Sequence, residues 1–206
     1  MTYKTEQEAF WAGEFGDQYI DRNNDAEIVA ANTALFARIL RATRAVNSVL
    51  EFGANIGLNL QAIRHLLPHA HLAAIEINAQ AVKKLQALGN ISTFHQSILE
   101  FEPECARDFV LIKGVLIHIN PAALNAVYHT LYQSSRRYIC IAEYYSPYPV
   151  ELNYRGHEGK LFKRDFAGEM LDKFPDLKLI DYGFSYHRDL VFPQDDMNWF
   201  VLEKGV

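Results

Sequence analysis

A glycine-bearing turn follows the first short apolar run of this 206-residue chain and precedes an amphipathic stretch. The turn, in EFGANIGLNL, contains Gly53 and Gly57 with Asn55 between them. Glycine lets the backbone approach a ligand and adopt a positive φ, and the N–H groups that begin a helix bind anions. Asn55 stands where a dinucleotide-binding turn needs its second glycine, which argues against a pyrophosphate. The turn indicates a different ligand, or is only a tight connection between strand and helix.

Two further stretches that could bind a ligand follow later apolar runs. Glu76, in LAAIEIN, lies roughly twenty residues beyond the turn, where a carboxylate can accept both hydroxyls of a ribose. The alternative is an exposed glutamate that caps a helix. Ser97 and Ile98, in FHQSILEF, can hold an adenine with a polar group and an apolar side chain. An ordinary strand exit explains these two residues equally well.

His118, in LIKGVLIHINP, is the candidate general base. It is the residue of this stretch that titrates near neutral pH, and it follows a glycine that gives a tight strand exit. A packed, hydrogen-bonded histidine in an apolar turn is the alternative. Glu143 and Tyr144, which follow a later apolar run, are the other candidates for removing a proton.

Short apolar runs that alternate with amphipathic stretches predict a doubly wound α/β sheet, mostly parallel, with helices on both faces. The runs are Ser48–Phe52, Leu72–Ile77, Ile91–His95, Phe109–Ile112, Tyr138–Ala142, Leu177–Tyr186 and Trp199–Glu203. Helical periodicity marks Thr5–Thr43, Leu58–Leu67, Ala79–Leu88 and Pro121–Tyr132. No helix separates the last two runs, so they should form an antiparallel hairpin at the sheet edge. Because such a sheet binds ligands at the carboxyl ends of its strands, the stretches above should meet there.

Composition excludes several classes of protein. The net charge is −5 and no lysine or arginine run is present, which disfavours nucleic acid as a partner. Cys105 and Cys140 lack the spacing of a metal site, so we expect no metal. Without a signal peptide or an apolar stretch that could cross a bilayer, the protein should be cytoplasmic and free of membranes. The sequence leaves open whether the protein forms a homodimer.

The order of these stretches resembles the S-adenosylmethionine-dependent methyltransferases of the class I, Rossmann-like fold. More narrowly, five stretches are similar to the bacterial pseudaminic acid biosynthesis-associated methylases, almost from end to end. They are TEQEAFWAGEFGDQYIDRN, EFGANIGLNL, KGVLIHINP, RYICIAEYYSPYPVELNYRGHEGKLFKRDFAGEM and DYGFSYHRDLVFPQDDMNWFVLEK. This resemblance implies one domain over residues 1–206, with a helical lid in 1–44 and a seven-stranded Rossmann-like core in 45–206.

The resemblance also implies roles for individual positions toward the cofactor S-adenosylmethionine. The turn would line its methionine and ribose part with Gly53, Ala54, Asn55 and Gly57. The exits of the second and third strands would hold the ribose and adenine with Glu76, Ile77, Ser97 and Ile98. The exit of the fourth strand would form the floor near the sulfonium with Lys113, Gly114 and Val115. Most class I enzymes carry an aspartate at the position of Ser97, so a side-chain bond from Ser97 to the adenine amino group is in question.

Aromatic and basic residues are concentrated after the fifth run, in a stretch that we expect to be a long loop. Its cations suggest an anionic substrate, a carboxylate or phosphate; a solvated charged face is the alternative. The candidate substrate-binding residues are Trp11, Tyr145, Tyr154, Arg155, Arg164 and Tyr186. The aromatic N-terminal segment should form a lid that brings Tyr19 and Arg22 near the methionine end of the cofactor, although core packing accounts for some of its rings.

The sequence therefore predicts methyl transfer to oxygen or nitrogen of a small anionic metabolite, a pseudaminic-type nonulosonic acid or related carbohydrate. Alternatives that keep the cofactor are esterification of a phosphonate or carboxylate, and cyclisation of the cofactor with release of methylthioadenosine. Another hypothesis is a non-catalytic interaction module that binds the cofactor. A nicotinamide-dependent redox enzyme is disfavoured by Asn55.

Overall fold

The computed structural model describes residues 2–22 and 26–205, and these form nine strands. The strands are β1 Ser48–Phe52, β2 His71–Glu76, β3 Ile91–His95, β4 Arg107–Lys113, β5 Ser135–Glu143, β6 Val150–Tyr154, β7 His157–Lys163, β8 Leu177–Ser185 and β9 Met197–Lys204. Seven of them form one sheet in the order β3-β2-β1-β4-β5-β9-β8. The first five run parallel, and β9 is antiparallel to both β5 and β8. The predicted doubly wound sheet with its antiparallel hairpin is confirmed.

Seven α-helices accompany the strands in the described part of the chain. They are α1 Glu6–Ala12, α2 Glu14–Arg22, α3 Ala26–Leu40, α4 Leu58–Leu66, α5 Ala79–Ala87, α6 Leu124–Ser134 and α7 Phe166–Lys173. Short 3-10 helices cover Leu116–His118 and Pro121–Ala123. The segment predicted as helical over Thr5–Thr43 contains three helices, and residues 23–25 within it lie outside the described residues. None of the described helices is long and apolar enough to cross a membrane.

The central strands β1, β2, β4 and β5 are buried on both faces. Helices α3, α4 and α5 cover one face, where Val49 and Leu111 pack with Ile63 of α4. Helices α6 and α7 cover the other, where Leu50 packs with Val127 of α6. A strand buried on both faces needs apolar side chains at consecutive positions. This is why the central strands are visible in the sequence as largely apolar runs.

The prediction of a long loop between β5 and α7 is wrong, because β6 and β7 form an antiparallel hairpin there. Arg155 and Gly156 occupy its turn with φ of 53° and 89°. Two positive φ angles are what a two-residue hairpin turn requires, and asparagine and glycine usually supply them. Asn153 Oδ1 accepts the Gly156 N–H at 2.7 Å and supports the turn. An arginine in the turn and mostly exposed strand residues conceal the hairpin in the sequence.

Two glycines in the left-handed region offer a matched test of the packing between α4 and α5. Gly57 has φ 81°, and a Cβ added to it would lie 2.5 Å from Leu85 Cδ1. Gly89 has φ 64°, and an added Cβ would meet no atom within 4 Å. Replacement by alanine costs about 1–2 kcal/mol of backbone strain at each, and overpacking adds about 1–3 kcal/mol at position 57 alone. In urea denaturation, Gly57→Ala should therefore lower the free energy of unfolding more than Gly89→Ala; equal losses would contradict the close contact.

Candidate functional site

A cavity of about 540 Å³ lies at the carboxyl ends of β1, β2, β3 and β4, as the topology predicts. Helices α1, α2 and α3 and the segment before β9 complete its walls. The predicted site residues that line it are Trp11, Tyr19, Gly53, Ala54, Asn55, Glu76, Ile77, Ser97, Ile98, Lys113, Gly114, Val115 and His118. Those that the structure places outside its lining are Arg22, Gly57, Glu143, Tyr144, Tyr145, Tyr154, Arg155, Arg164 and Tyr186.

The turn after β1 is held close to β2 and β4. The N–H groups of Gly53 and Ala54 both donate to the carbonyl of Ile75, at 2.9 and 3.1 Å. Gly53 has φ 69°, and a Cβ there would lie 2.6 Å from Val115 Cγ2, so only glycine fits between the two strand exits. Asn55 also has a positive φ, 48°.

Gly57 packs against α5 instead of facing the cavity. The first turn of α4 lines the cavity through Leu58 and Asn59, which the motif pattern did not indicate.

Glu76 holds its carboxylate at the cavity wall with two backbone bonds. Oε2 accepts the N–H of Asn55 and Oε1 accepts the N–H of Asn78, both at 2.7 Å. Burial raises the pKa of this carboxyl, and the backbone N–H groups of Asn78, Asn55 and Ile77 oppose the rise. Because a carboxylate has four acceptor sites in all, it keeps acceptor capacity for a ligand. Glu76 is buried, so the alternative hypothesis of an exposed capping glutamate is wrong. The Glu76 side chain does, however, accept a hydrogen bond from Asn78, the N-cap residue of α5.

The exit of β3 is joined to the N-terminal lid. Ser97 is buried, and its hydroxyl donates to Glu8 of α1. Glu8 lines the cavity beside Ser97 and Ile98 and was not predicted as a site residue. Its one sequence signal is the capping box that it forms with Thr5, a T-x-x-E pattern that predicts the helix start only.

A buried carboxyl and a partly buried lysine, Glu51 and Lys113, lie next to the turn. Glu51, at the end of β1, is fully buried; Oε1 accepts the Asn59 amide at 2.6 Å, and Oε2 has no partner among the described residues. Burial raises the pKa of Glu51 to about 8. Burial also lowers the pKa of Lys113, and the charge of Glu51 opposes that shift. Lys113 lines the cavity, and its charge in turn opposes the rise in the pKa of Glu51.

Glu143 lies beneath the site and supports the turn that carries His118. Its Oε1 accepts the N–H groups of Val115 and Leu116, at 2.9 and 2.8 Å, and Oε2 has no partner among the described atoms. Burial raises the pKa of Glu143 to about 7, and the backbone N–H groups of Val115, Leu116 and Ile117 oppose the rise. The carboxyl therefore fixes the 3-10 helix that begins at Leu116.

His118 is both a packed histidine and part of the cavity wall. Its Nδ1 lies 2.6 Å from the carbonyl oxygen of Lys160 in the β6–β7 hairpin. A carbonyl only accepts, so Nδ1 carries the proton and Nε2 keeps a lone pair. Burial lowers the pKa of His118 to about 4, so the ring is neutral at pH 7. The rings of Trp11 and Tyr154 lie 4.6 and 4.8 Å from it.

The N-terminal helices form an aromatic cover over this histidine. Trp11 lines the cavity, and its Nε1 is buried without a partner in the described part of the chain. Tyr19 also lines the cavity, 5.3 Å from the Trp11 ring. Arg22 is exposed and lies over the rings of Phe15 and Tyr19, at 5.5 and 6.0 Å, outside the cavity. The N-terminal helices thus contribute Trp11 and Tyr19 to the lining of the cavity.

The remaining aromatic candidates lie at the rim. Tyr144 donates its hydroxyl to Asp195 Oδ2 at 2.7 Å, and burial together with this bond raises its pKa. Asp195 lines the cavity and was not predicted. Tyr145 and Tyr186 are exposed, whereas His187, next to Tyr186, reaches the cavity.

The basic candidates of the hairpin region are mostly engaged with acids. Arg164 Nε donates to Glu169 Oε1 at 2.7 Å, and Lys160 Nζ lies 3.3 Å from Glu6 Oε2. Arg155, at the hairpin turn, is exposed and lies 6.0 Å from the Tyr154 ring. Lys113 is therefore the ammonium that the structure presents to the cavity itself.

Several solved methyltransferases share this fold at low sequence identity. The 1,6-didemethyltoxoflavin-N1-methyltransferase of Burkholderia thailandensis, solved with 1,6-didemethyltoxoflavin and S-adenosylhomocysteine, is 17% identical with a TM-score of 0.71, over 100% of this chain and 92% of that chain. The magnesium protoporphyrin IX methyltransferase ChlM of Synechocystis PCC 6803 is 13% identical with a TM-score of 0.69, over 98% and 100%. The plantazolicin methyltransferase BpumL is 16% identical with a TM-score of 0.66, over 97% and 94%. No family model and no curated protein matches the sequence.

The buried carboxyl of Glu51 should make stability depend on pH. The unfolded state releases this proton near pH 4.5 and the folded state near pH 8, so the folded state binds more protons in between and stability falls as pH rises. Glu51 contributes at most about 1.4 kcal/mol per pH unit to the change of the unfolding free energy with pH. Glu51→Gln should make the decline between pH 5 and 8 shallower in chemical denaturation, and Glu102→Gln, at an exposed position, should not. An unchanged slope in Glu51→Gln would contradict a raised pKa.

Proposed function

We propose that this chain is an S-adenosylmethionine-dependent methyltransferase that acts on oxygen or nitrogen of a small molecule. The observation that carries the proposal is the cavity at the strand ends, where a glycine turn and a buried carboxylate with free acceptor sites face each other. The fold is that of enzymes solved with S-adenosylhomocysteine or S-adenosylmethionine, which supports this choice of ligand.

The groups around the cavity fit such a cofactor. Glu76 has acceptor sites for the two ribose hydroxyls, and Ile77 and Ile98 offer apolar contact to adenine. The turn at Gly53 gives the close backbone approach that the sugar and methionine part needs. Trp11 Nε1, a buried donor without a described partner, is available to the same ligand.

S-adenosylmethionine supplies an already activated methyl group when bound, so the protein mainly aligns the acceptor and excludes water. His118 is the proposed general base, because its Nε2 keeps a lone pair while the carbonyl of Lys160 fixes the ring. A neutral imidazole can take a proton throughout the range above its pKa of about 4. An uncharged amine acceptor would need no base.

For the substrate we propose a small anion, a nonulosonic sugar acid of the pseudaminic type or a related carbohydrate. Two features support it: the resemblance to the pseudaminic acid biosynthesis-associated methylases, and Lys113 at the cavity wall. An anion beside Lys113 would offset the burial that lowers its pKa. Arg155 and the rings of Tyr145, Tyr154 and Tyr186 are proposed to form the outer part of the substrate site.

The first prediction from this proposal is cofactor binding. Isothermal titration with S-adenosylmethionine or S-adenosylhomocysteine should show one site of micromolar to low-millimolar affinity, roughly −4 to −8 kcal/mol. Reduced nicotinamide dinucleotide should not bind under the same conditions. Absence of heat with both sulfur ligands would end the proposal.

The reaction should yield a methylated acid. Labelled S-adenosylmethionine incubated with nonulosonic acids, their nucleotide-activated forms and other small acids should give S-adenosylhomocysteine, detected by mass spectrometry. Release of methylthioadenosine instead would identify cyclisation of the cofactor. A labelled ester of a phosphonate or carboxylate would place the methyl group on an acidic oxygen.

His118→Gln should lower turnover about 10²- to 10⁴-fold, the range for loss of a general base, while leaving cofactor affinity nearly intact. His157→Gln is the matched control, because His157 contacts the same lid through Phe10 and Phe15 but is exposed and does not line the cavity. In the wild type, turnover should show no titration of this group between pH 5 and 8. Unchanged turnover in His118→Gln would remove the residue from the base role.

A further inference from the structure

One end of the cavity carries a buried carboxylate without a neighbouring cation. Glu8 lines the cavity next to the exit of β3 and is buried. Its Oε2 accepts the backbone N–H groups of Lys4 and Thr5, both at 2.7 Å. Within residues 2–22 and 26–205 no basic side chain forms a salt bridge with it, and the ammonium of Lys4 pairs with Glu100 instead.

The two oxygens of this carboxylate are used unequally. Oε2 also accepts the Thr5 hydroxyl at 3.2 Å, so its acceptor sites are occupied. Oε1 accepts one bond, from the Ser97 hydroxyl, and therefore keeps an acceptor site. A buried carboxylate that lacks a counter-ion is stabilised by further hydrogen-bond donors and destabilised by an acceptor beside it. The free site on Oε1 thus favours a ligand that presents an N–H group.

Glu8 and Glu76 lie at the exits of neighbouring strands and line the same cavity. Strands β2 and β3 are adjacent and pair Glu76 with His95, and neighbouring strands lie about 4.8 Å apart. Ser97 is two residues beyond His95, so the Glu8 carboxylate lies across the next strand exit from Glu76. A base attached to a ribose at Glu76 reaches this end of the cavity over Ile98, which also lines it.

We propose that Oε1 of Glu8 accepts a hydrogen bond from the exocyclic amino group of adenine. The carboxylate that recognises the base would then come from the N-terminal lid, and Ser97 would orient it. This inference rests on the proposed function, because it assumes an adenine nucleoside in the cavity. The base would then contact α1 directly, so adenine recognition would depend on the position of this helix against the exit of β3.

The test compares ligands that differ only at the amino group. Binding of S-adenosylhomocysteine, of its 6-oxo analogue S-inosylhomocysteine and of the analogue with hydrogen at that carbon is measured by isothermal titration. The wild type should prefer S-adenosylhomocysteine over both analogues by about 10- to 100-fold, as expected for loss of a hydrogen bond to a charged group. Equal affinity of the wild type for S-adenosylhomocysteine and the analogue with hydrogen would overturn the inference without any variant.

Glu8→Gln assigns the preference to this side chain. Glutamine can still accept the N–H groups of Lys4 and Thr5 through its carbonyl, and its amide NH₂ then faces Ser97 and the ligand as a donor. In this variant the preference for S-adenosylhomocysteine over the 6-oxo analogue should fall at least about tenfold. The reason is that the glutamine amide N–H can donate to the carbonyl oxygen of that analogue. Glu6→Gln is the matched control, since Glu6 lies on the same helix with its side chain exposed, and its preference should equal that of the wild type.

The outcomes separate the two levels of the argument. If the wild type binds neither S-adenosylhomocysteine nor S-adenosylmethionine, the proposed function fails. If the wild type binds S-adenosylhomocysteine with the expected preference and Glu8→Gln retains that preference in full, the function stands and the role of Glu8 is wrong.

Discussion

The site depends on the hydrogen bonds that meet at Glu76 and Asn78. The Glu76 carboxylate joins the turn after β1, through the N–H of Asn55, to the start of α5, through the N–H of Asn78. The amide of Asn78 then donates to Asp17 Oδ1 at 2.8 Å and to the carbonyl of Trp11 at 3.2 Å, both in the N-terminal helices. One buried carboxylate and one N-cap residue thus set the relative positions of turn, helix and lid, which are the walls of the cavity.

The N-terminal helices are held by polar contacts of long sequence separation as well as by apolar and aromatic packing. Glu8 bonds Ser97 at the exit of β3, and Gln7 Nε2 donates to the carbonyl of Gly159 in the β6–β7 hairpin at 2.8 Å. The hairpin in turn bonds His118 through Lys160. Rings of α1 and α2 pack on Tyr154 and His157 of the same hairpin. The N-terminal helices, the hairpin and His118 therefore form one connected wall of the cavity.

Local sequence patterns predicted the sheet. The cavity residues that these patterns missed are placed by contacts between distant segments of the chain. The strands were found because burial on both faces demands consecutive apolar residues, and the glycine turn because Gly53 must pass close to Val115. Glu8 and Asp195 were not found, since nothing in their own neighbourhood shows that α1 and the segment before β9 fold back over the strand ends. Gly57 has the spacing of a ligand-binding glycine, yet its lack of a side chain serves the packing of α4 on α5.

The charges around the cavity suit a cationic ligand near a neutral base. Among the described residues that line it, the carboxylates are Glu8, Glu76 and Asp195, and Lys113 is the ammonium, while burial keeps His118 neutral. Acidic side chains therefore outnumber the lysine in this lining, which suits the sulfonium of the proposed cofactor. A substrate anion of the proposed kind would lie on the Lys113 side, where the proposed cofactor and this lysine together offset its charge.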